Sequence, residues 1–106
     1  MTHTSDDGGP GSVVEIEREY GLSHGDFRRI FPRVEPDSEQ ISECRFELEH
    51  TDGRNLHIEL SPEHVRRLAS LRISYIEIIF RFTGWSAGQR AEFFEKFDRS
   101  FQKGGG

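Results

Sequence analysis

From residue 43 to residue 60, apolar and polar side chains alternate on either side of one break. Cys44, Phe46 and Leu48 are interleaved with Glu43, Arg45, Glu47 and Glu49, and Leu56, Ile58 and Leu60 with Asn55, His57 and Glu59. A period of two is that of a strand with one face in a core. The break, "HTDGRN", is a turn, and the pattern selects its length. A two-residue Asp52-Gly53 loop would set Leu48 against His57, apolar against polar. A three-residue loop, Thr51-Asp52-Gly53 with Gly53 left-handed, pairs Leu48 with Leu56 and Phe46 with Ile58. The longer loop is therefore expected, with Arg45 opposite Glu59 and Glu47 opposite His57 on the solvent face.

The remaining segments read in the same way. In "SVVEIEREY", 12–20, Val14 and Ile16 alternate with Glu15 and Glu17, as in a short strand. In "GLSHGDFRRIFPRV", Ser23 can cap a helix with Asp26 at N3, and Phe27, Ile30 and Phe31 make one apolar stripe that Pro32 stops or kinks. "LSPEHVRRLASLR" offers a second helix start: Ser61 as N-cap, Pro62 at N1, Glu63 in the first turn, and Val65, Leu68 and Ala69 as an inner stripe. "ISYIEIIFRF" is a strand with Ile76, Ile78, Phe80 and Phe82 on one face and Tyr75, Glu77, Ile79 and Arg81 on the other. A last helix, 87–102, carries Ala87, Ala91, Phe94, Phe97 and Phe101 at helical spacing. The order is (β)αββαβα, an α+β fold with a small antiparallel sheet and helices packed on one face. Residues 1–11 form a polar, Gly/Pro-rich tail, 12–103 a single domain, and 104–106 a flexible glycine tail.

Composition narrows the function classes. At 106 residues there is room for one core, and nine phenylalanines make it aromatic. A net charge of −5 disfavours nucleic acid, although a local basic patch could still bind it. No apolar run approaches membrane-spanning length. One cysteine excludes an internal disulfide, and the N-terminus lacks the basic and apolar regions of a secretory signal, so a cytoplasmic protein is expected.

Gly84-Trp85-Ser86-Ala87-Gly88 is a G-x-S-x-G between a strand and a helix, and it resembles the nucleophile elbow of the α/β-hydrolase family. That family places its acid and histidine after the serine, whereas all five histidines here precede Ser86, and its parallel sheet exceeds this chain. The residues are otherwise explained by a helix start: Gly84 for a tight exit, Ser86 as cap, and Gln89 at N3. An enzyme is therefore not expected. Arg90 and the free N–H groups of that start could at most hold an anion. Cys44, His50, His57 and His64 lack metal-ligand spacing, so neither metal nor cofactor is expected. Glu47, Glu49, Glu59 and Glu77 read as a solvated charged face rather than an acid/base pair.

Three features suggest binding. Tyr75 and Ile79 lie opposite the core face of their strand, Trp85 follows in the loop, and Phe93 lies off the stripe of its helix. Such a patch marks an interface, often a homodimer, unless the strand at 13–18 or the 32–42 segment covers it. Arg28, Arg29 and Arg33 lie in and after the first helix, and Arg66, Arg67 and Arg72 along the second. If neighbours, they form a patch for phosphate or an acidic partner. The chain ends in glycines, as carrier proteins activated at a C-terminal carboxylate do, here that of Gly106; Gly104 as a residue beyond a helix cap explains the same tail.

"EREYGLSHGDFRRIFPRV" and "FFEKFDRSFQKGGG" are similar to segments of a family of small, uncharacterised bacterial proteins that end in the same way. The resemblance implies a compact α+β domain in a bacterial cytoplasm, and no activity. The expected function is a non-enzymatic interaction module that binds a protein partner, or a second copy, through Tyr75, Ile79 and Trp85 or through Arg28, Arg29, Arg66 and Arg67. A nucleic-acid-binding accessory domain and a C-terminal-glycine carrier are the alternatives.

Overall fold

The structure, a computed structural model, describes residues 12–105; the 1–11 segment and Gly106 lie outside the described residues. The chain runs β1 (Val13–Tyr20), α1 (His24–Val34), β2 (Glu39–Ser42), β3 (Arg45–Glu49), β4 (Asn55–Leu60), β5 (His64–Leu68), β6 (Leu71–Thr83) and α2 (Ala87–Gly105). All strand pairs are antiparallel, in the order β1-β6-β4-β3-β2, with β5 on the first part of β6. This is an α+β fold, and both helices lie on one sheet face.

The β3–β4 hairpin takes the register that its apolar pattern selects: Leu48 pairs with Leu56, Phe46 with Ile58, Arg45 with Glu59 and Glu47 with His57. His50 N–H donates to the Arg54 carbonyl at 2.9 Å, which closes a three-residue loop, and Gly53 has φ +96°. A side chain would be strained there. The first segment is a full edge strand, since β1 pairs with β6 from Val13↔Thr83 to Tyr20↔Ile76. β2, for which the 32–42 segment gave no strand signal, pairs with β3.

The core is a stack of aromatic rings between sheet and helices. Phe27, Phe31, Phe46, Phe80, Phe82 and Phe97 are fully buried, joined by Ile58, Ile76 and Ile78. Phe27 meets Phe46 and Phe31, Phe80 meets Phe94 and Phe97 edge-on, and Phe97 stacks on Phe101 at 4.3 Å. Such offset and edge contacts add to the burial of apolar area. Ser23 and Asp26 form a reciprocal capping box at α1, and the Ser23 N–H holds the Asp26 carboxyl below its usual range. Pro32 sits inside the last turn of α1, which continues to Val34. α2 continues past 102 to Gly105 and takes in Gly104 and Gly105 of the glycine tail.

One expected element is overturned. Residues 61–72 do not form a helix: His64–Leu68 is a strand, and β6 starts at Leu71. The residues that look like a helix start serve other elements. The Ser61 hydroxyl accepts from Glu77 N–H at 2.9 Å and Ser61 N–H donates to the Glu77 carbonyl at 2.8 Å, so Ser61 carries the β4–β6 ladder through a bend. The Glu63 carboxylate accepts from His24 N–H at 2.9 Å, a free donor at the first turn of α1. Glu63 thus helps cap another helix. Val65 and Leu68, the expected inner stripe, lie on opposite faces of the β5–β6 hairpin and stay exposed.

Candidate interaction surface

Two stretches of β6 meet different surroundings. From Ile78 to Thr83 it lies between β1 and β4, Ile76 and Glu77 pair with β1, and Ile76, Ile78, Phe80 and Phe82 are fully buried. From Leu71 to Tyr75 it pairs only with β5, because the β1 ladder ends at Ile76. Residues 64–75 therefore form a two-stranded arm that runs past the end of the sheet, and the outer edge of β5 has no strand partner among the described residues. An unpaired edge is a row of free backbone donors and acceptors, a template for another strand.

The arm also carries most of the exposed apolar surface. Leu71 is 63% exposed, Leu68 54%, Val65 51% and Ile73 39%; elsewhere among the described residues, Val13 and Ile41 are the other large apolar side chains left so open. The register Leu68↔Leu71, Arg66↔Ile73 and His64↔Tyr75 puts these six side chains on one face. Val65 with Ser74, and Arg67 with Arg72, lie on the other. The two-residue turn Ala69-Ser70 has its first residue at φ +55°, a left-handed conformation in which a Cβ costs about 1–2 kcal/mol.

The arm is basic in an acidic protein. Residues 64–75 contain Arg66, Arg67 and Arg72 and no Asp or Glu, against −5 for the whole chain. The sheet face without helices carries Glu15, Glu17, Glu19, Glu47, Glu49, Glu59 and Glu77 by strand alternation, and Glu19 stands opposite Glu77. Arg81 bridges Glu15 and Glu59, and His57 meets Glu47 at 3.2 Å. Arg66 lies over the Tyr75 ring and pairs with Glu19 at 3.1 Å, which relieves the Glu19–Glu77 repulsion and raises the Arg66 pKa through the Glu19 hydrogen bond. Arg67 and Arg72 face each other as like charges, and neither makes an ion pair among the described residues. Such a pair weakens the arm.

The expected site residues are therefore divided. Tyr75 is half-buried on the arm, stacked on His64 at 5.1 Å. Ile79 is half-buried between Glu17 and Glu59. Trp85 is not a surface residue: it is 3% exposed, its ring packs on Phe82 and Phe93, and its Nε1–H donates to the Asn55 carbonyl at 2.8 Å. Phe93 is buried with it. Arg28 and Arg29 are exposed on α1, with Arg29 paired to Asp26. The patch expected from two neighbouring helices is split, since Arg66 lies on one face of a hairpin and Arg67 and Arg72 on the other. Gly106 lies outside the described residues. Leu68, which the sequence placed on the inner stripe of a helix, and Leu71 and Ile73, which it did not single out, form the exposed surface; for the last two, the period of two through Leu71, Ile73 and Tyr75 was the signal.

Ser86 is a helix cap. Its hydroxyl accepts from Gln89 N–H at 3.1 Å, and Gln89 Oε1 accepts from Ser86 N–H at 2.8 Å. Arg90 turns back to donate to the Trp85 carbonyl at 3.0 Å. Beside this turn, a cavity of about 170 Å³ is lined by His50, Arg54, Trp85, Gln89 and Lys96 among others, and the buried His50 Nε2 has no hydrogen-bond partner among the described residues. Of its charged lining, Lys96 pairs with Glu35 and Arg54 with Asp52. Among the described residues no group of three or more His, Cys, Asp or Glu is placed to hold a metal, and no helix is long and apolar enough to cross a membrane. Comparison of the chain with protein-family models, curated proteins and solved structures finds no match.

Proposed function

We propose that this protein is a non-enzymatic interaction module whose recognition element is the β5–β6 arm, with a protein as its partner. One observation carries the reading: Leu68, Leu71 and Ile73 are exposed together on one face of a single hairpin, Val65 is exposed on the other, and the outer edge has no strand partner among the described residues. A contiguous apolar surface of this kind, combined with arginine, has the composition of an interface rather than of a solvated face. The arm can contribute backbone pairing, apolar contact and positive charge together, the elements of recognition by strand addition.

The test is an affinity capture with three baits: the wild-type chain, Val65→Ser/Leu68→Ser/Leu71→Ser, and Arg28→Ser/Arg29→Ser. The arm variant should lose the proteins that the other two retain, with an unchanged urea midpoint. Equal recovery by all three baits would contradict the arm assignment. The basic character of residues 64–75 favours a second reading, in which the arm contacts phosphate groups of a nucleic acid. That reading requires binding that falls steeply with salt; an apolar protein contact does not.

A further inference from the structure

We infer that the partner of the arm is a second copy of this chain, joined edge to edge along β5 with Val65 on the two-fold axis; this rests on the arm being the recognition element. Two copies of one edge strand pair antiparallel about an axis normal to the sheet, so each register is defined by the residue that meets its own twin. Centring on Arg66 or on Arg67 sets arginine against arginine, which is destabilising. Centring on His64 places Val65 opposite Glu63. Centring on Leu68 leaves only the ends of the arms overlapping. Centring on Val65 places Val65 on Val65 of the second copy, His64 opposite Arg66, and Glu63 opposite Arg67.

This register supplies what the arm lacks. Arg67 faces Arg72 within one chain and has no acidic partner among the described residues; in the pair, Glu63 of the other copy stands beside it. Glu63 is suited to this, because its Oε2 is held by His24 N–H and its side chain remains 45% exposed. The exposed Val65, on the face of Arg67, gains an apolar contact. The two arginines that discourage other registers thus select this one, and the product is a continuous sheet across two protomers.

Cysteine cross-linking tests the register on the full chain in a Cys44→Ser background. Antiparallel neighbours have Cα atoms within disulfide reach, whereas diagonal neighbours lie beyond it. Val65→Cys should oxidise to a covalent dimer, and Arg66→Cys, whose twin is diagonal, should stay at least tenfold less linked. In sedimentation, the wild type should approach twice 12.3 kDa with concentration. Val65→Glu and Val65→Lys should each stay monomeric with unchanged circular dichroism, and their mixture should associate. A wild type that remains monomeric to about 0.5 mM, a very weak limit for specific pairing, would overturn the second copy as partner. Equal linking at 65 and 66 would overturn the register. A monomeric wild type that co-sediments with a labelled DNA duplex at low salt would overturn it in favour of the phosphate reading. The arm assignment fails separately, only if the three capture baits behave alike.

Discussion

β6 is one strand with two fates. Its Ile76–Thr83 portion is flanked by β1, from Ile78 also by β4, and packs Phe80 and Phe82 on rings of α2, while Leu71–Tyr75 has β5 alone. Both portions alternate apolar and polar residues, and both have strand-forming side chains. The difference is what covers them: Phe80 has rings of Phe82, Phe93, Phe94 and Phe97 around it, whereas Leu71 is mostly in water. An alternating pattern therefore marks a face that needs covering, and the cover can come from within the chain or from outside it.

The sharpest way to break this comparison is to delete a side chain from each portion. Phe80→Ala should cost about 3–5 kcal/mol through lost burial and a cavity, whereas Leu71→Ala should stay within about 0.5 kcal/mol. Urea unfolding of the two variants decides it; a similar loss at Leu71 would mean that the arm belongs to the core. Next in size is the cap that orients the helix over the buried portion. Ser86→Ala should cost about 1 kcal/mol, because Gln89 N–H loses its acceptor. A neutral result would show that the turn is held without it.

A third variant acts on the arm alone. Ala69→Gly removes the cost of the +55° φ and should stabilise the hairpin by about 1 kcal/mol. The effect should appear as slower amide exchange in 64–68 with little change in 76–82, since local opening is separate from global unfolding. Equal slowing in both segments would deny the arm its independence.

A fourth variant concerns the link between β1 and α2. Tyr20 donates to Asp98 at 2.8 Å and Arg18 pairs with the same carboxylate at 3.1 Å. Burial pushes the Tyr20 pKa up to about 12, with the Asp98 hydrogen bond adding to it and Arg18 opposing. The native protein then keeps a proton that the unfolded chain releases above its ordinary value of 10.0. The stability contributed is present below that value and is lost as pH rises from 10 toward 12. Tyr20→Phe should flatten this alkaline decline, and an equally steep decline in the variant would assign it to other groups.

Much of the buried portion was legible in the sequence because local signals and core pattern agreed. The β3–β4 register followed from which loop length keeps Leu48 on Leu56, and the caps at Ser23 and Ser86 from their N3 partners. The arm was not legible for an equally physical reason. Ser61 and Glu63 carry the chemistry of a helix start, but they use it on Glu77 and on His24, residues distant in sequence. Trp85 was misplaced because a tryptophan in a loop offers no sign of which way it turns; its Nε1–H reaches Asn55 of a neighbouring strand and draws it inside. The exposed leucines were hidden behind the same mistaken helix.

Amide hydrogen exchange of the full chain at low and high protein concentration tests the arm as a recognition element most directly. Residues 76–82 should be slow under both conditions, and 64–68 should exchange fast when dilute and become protected as the concentration rises. Exchange in 64–68 that is slow even when dilute, or fast at every concentration, would contradict an arm that is completed by a second copy.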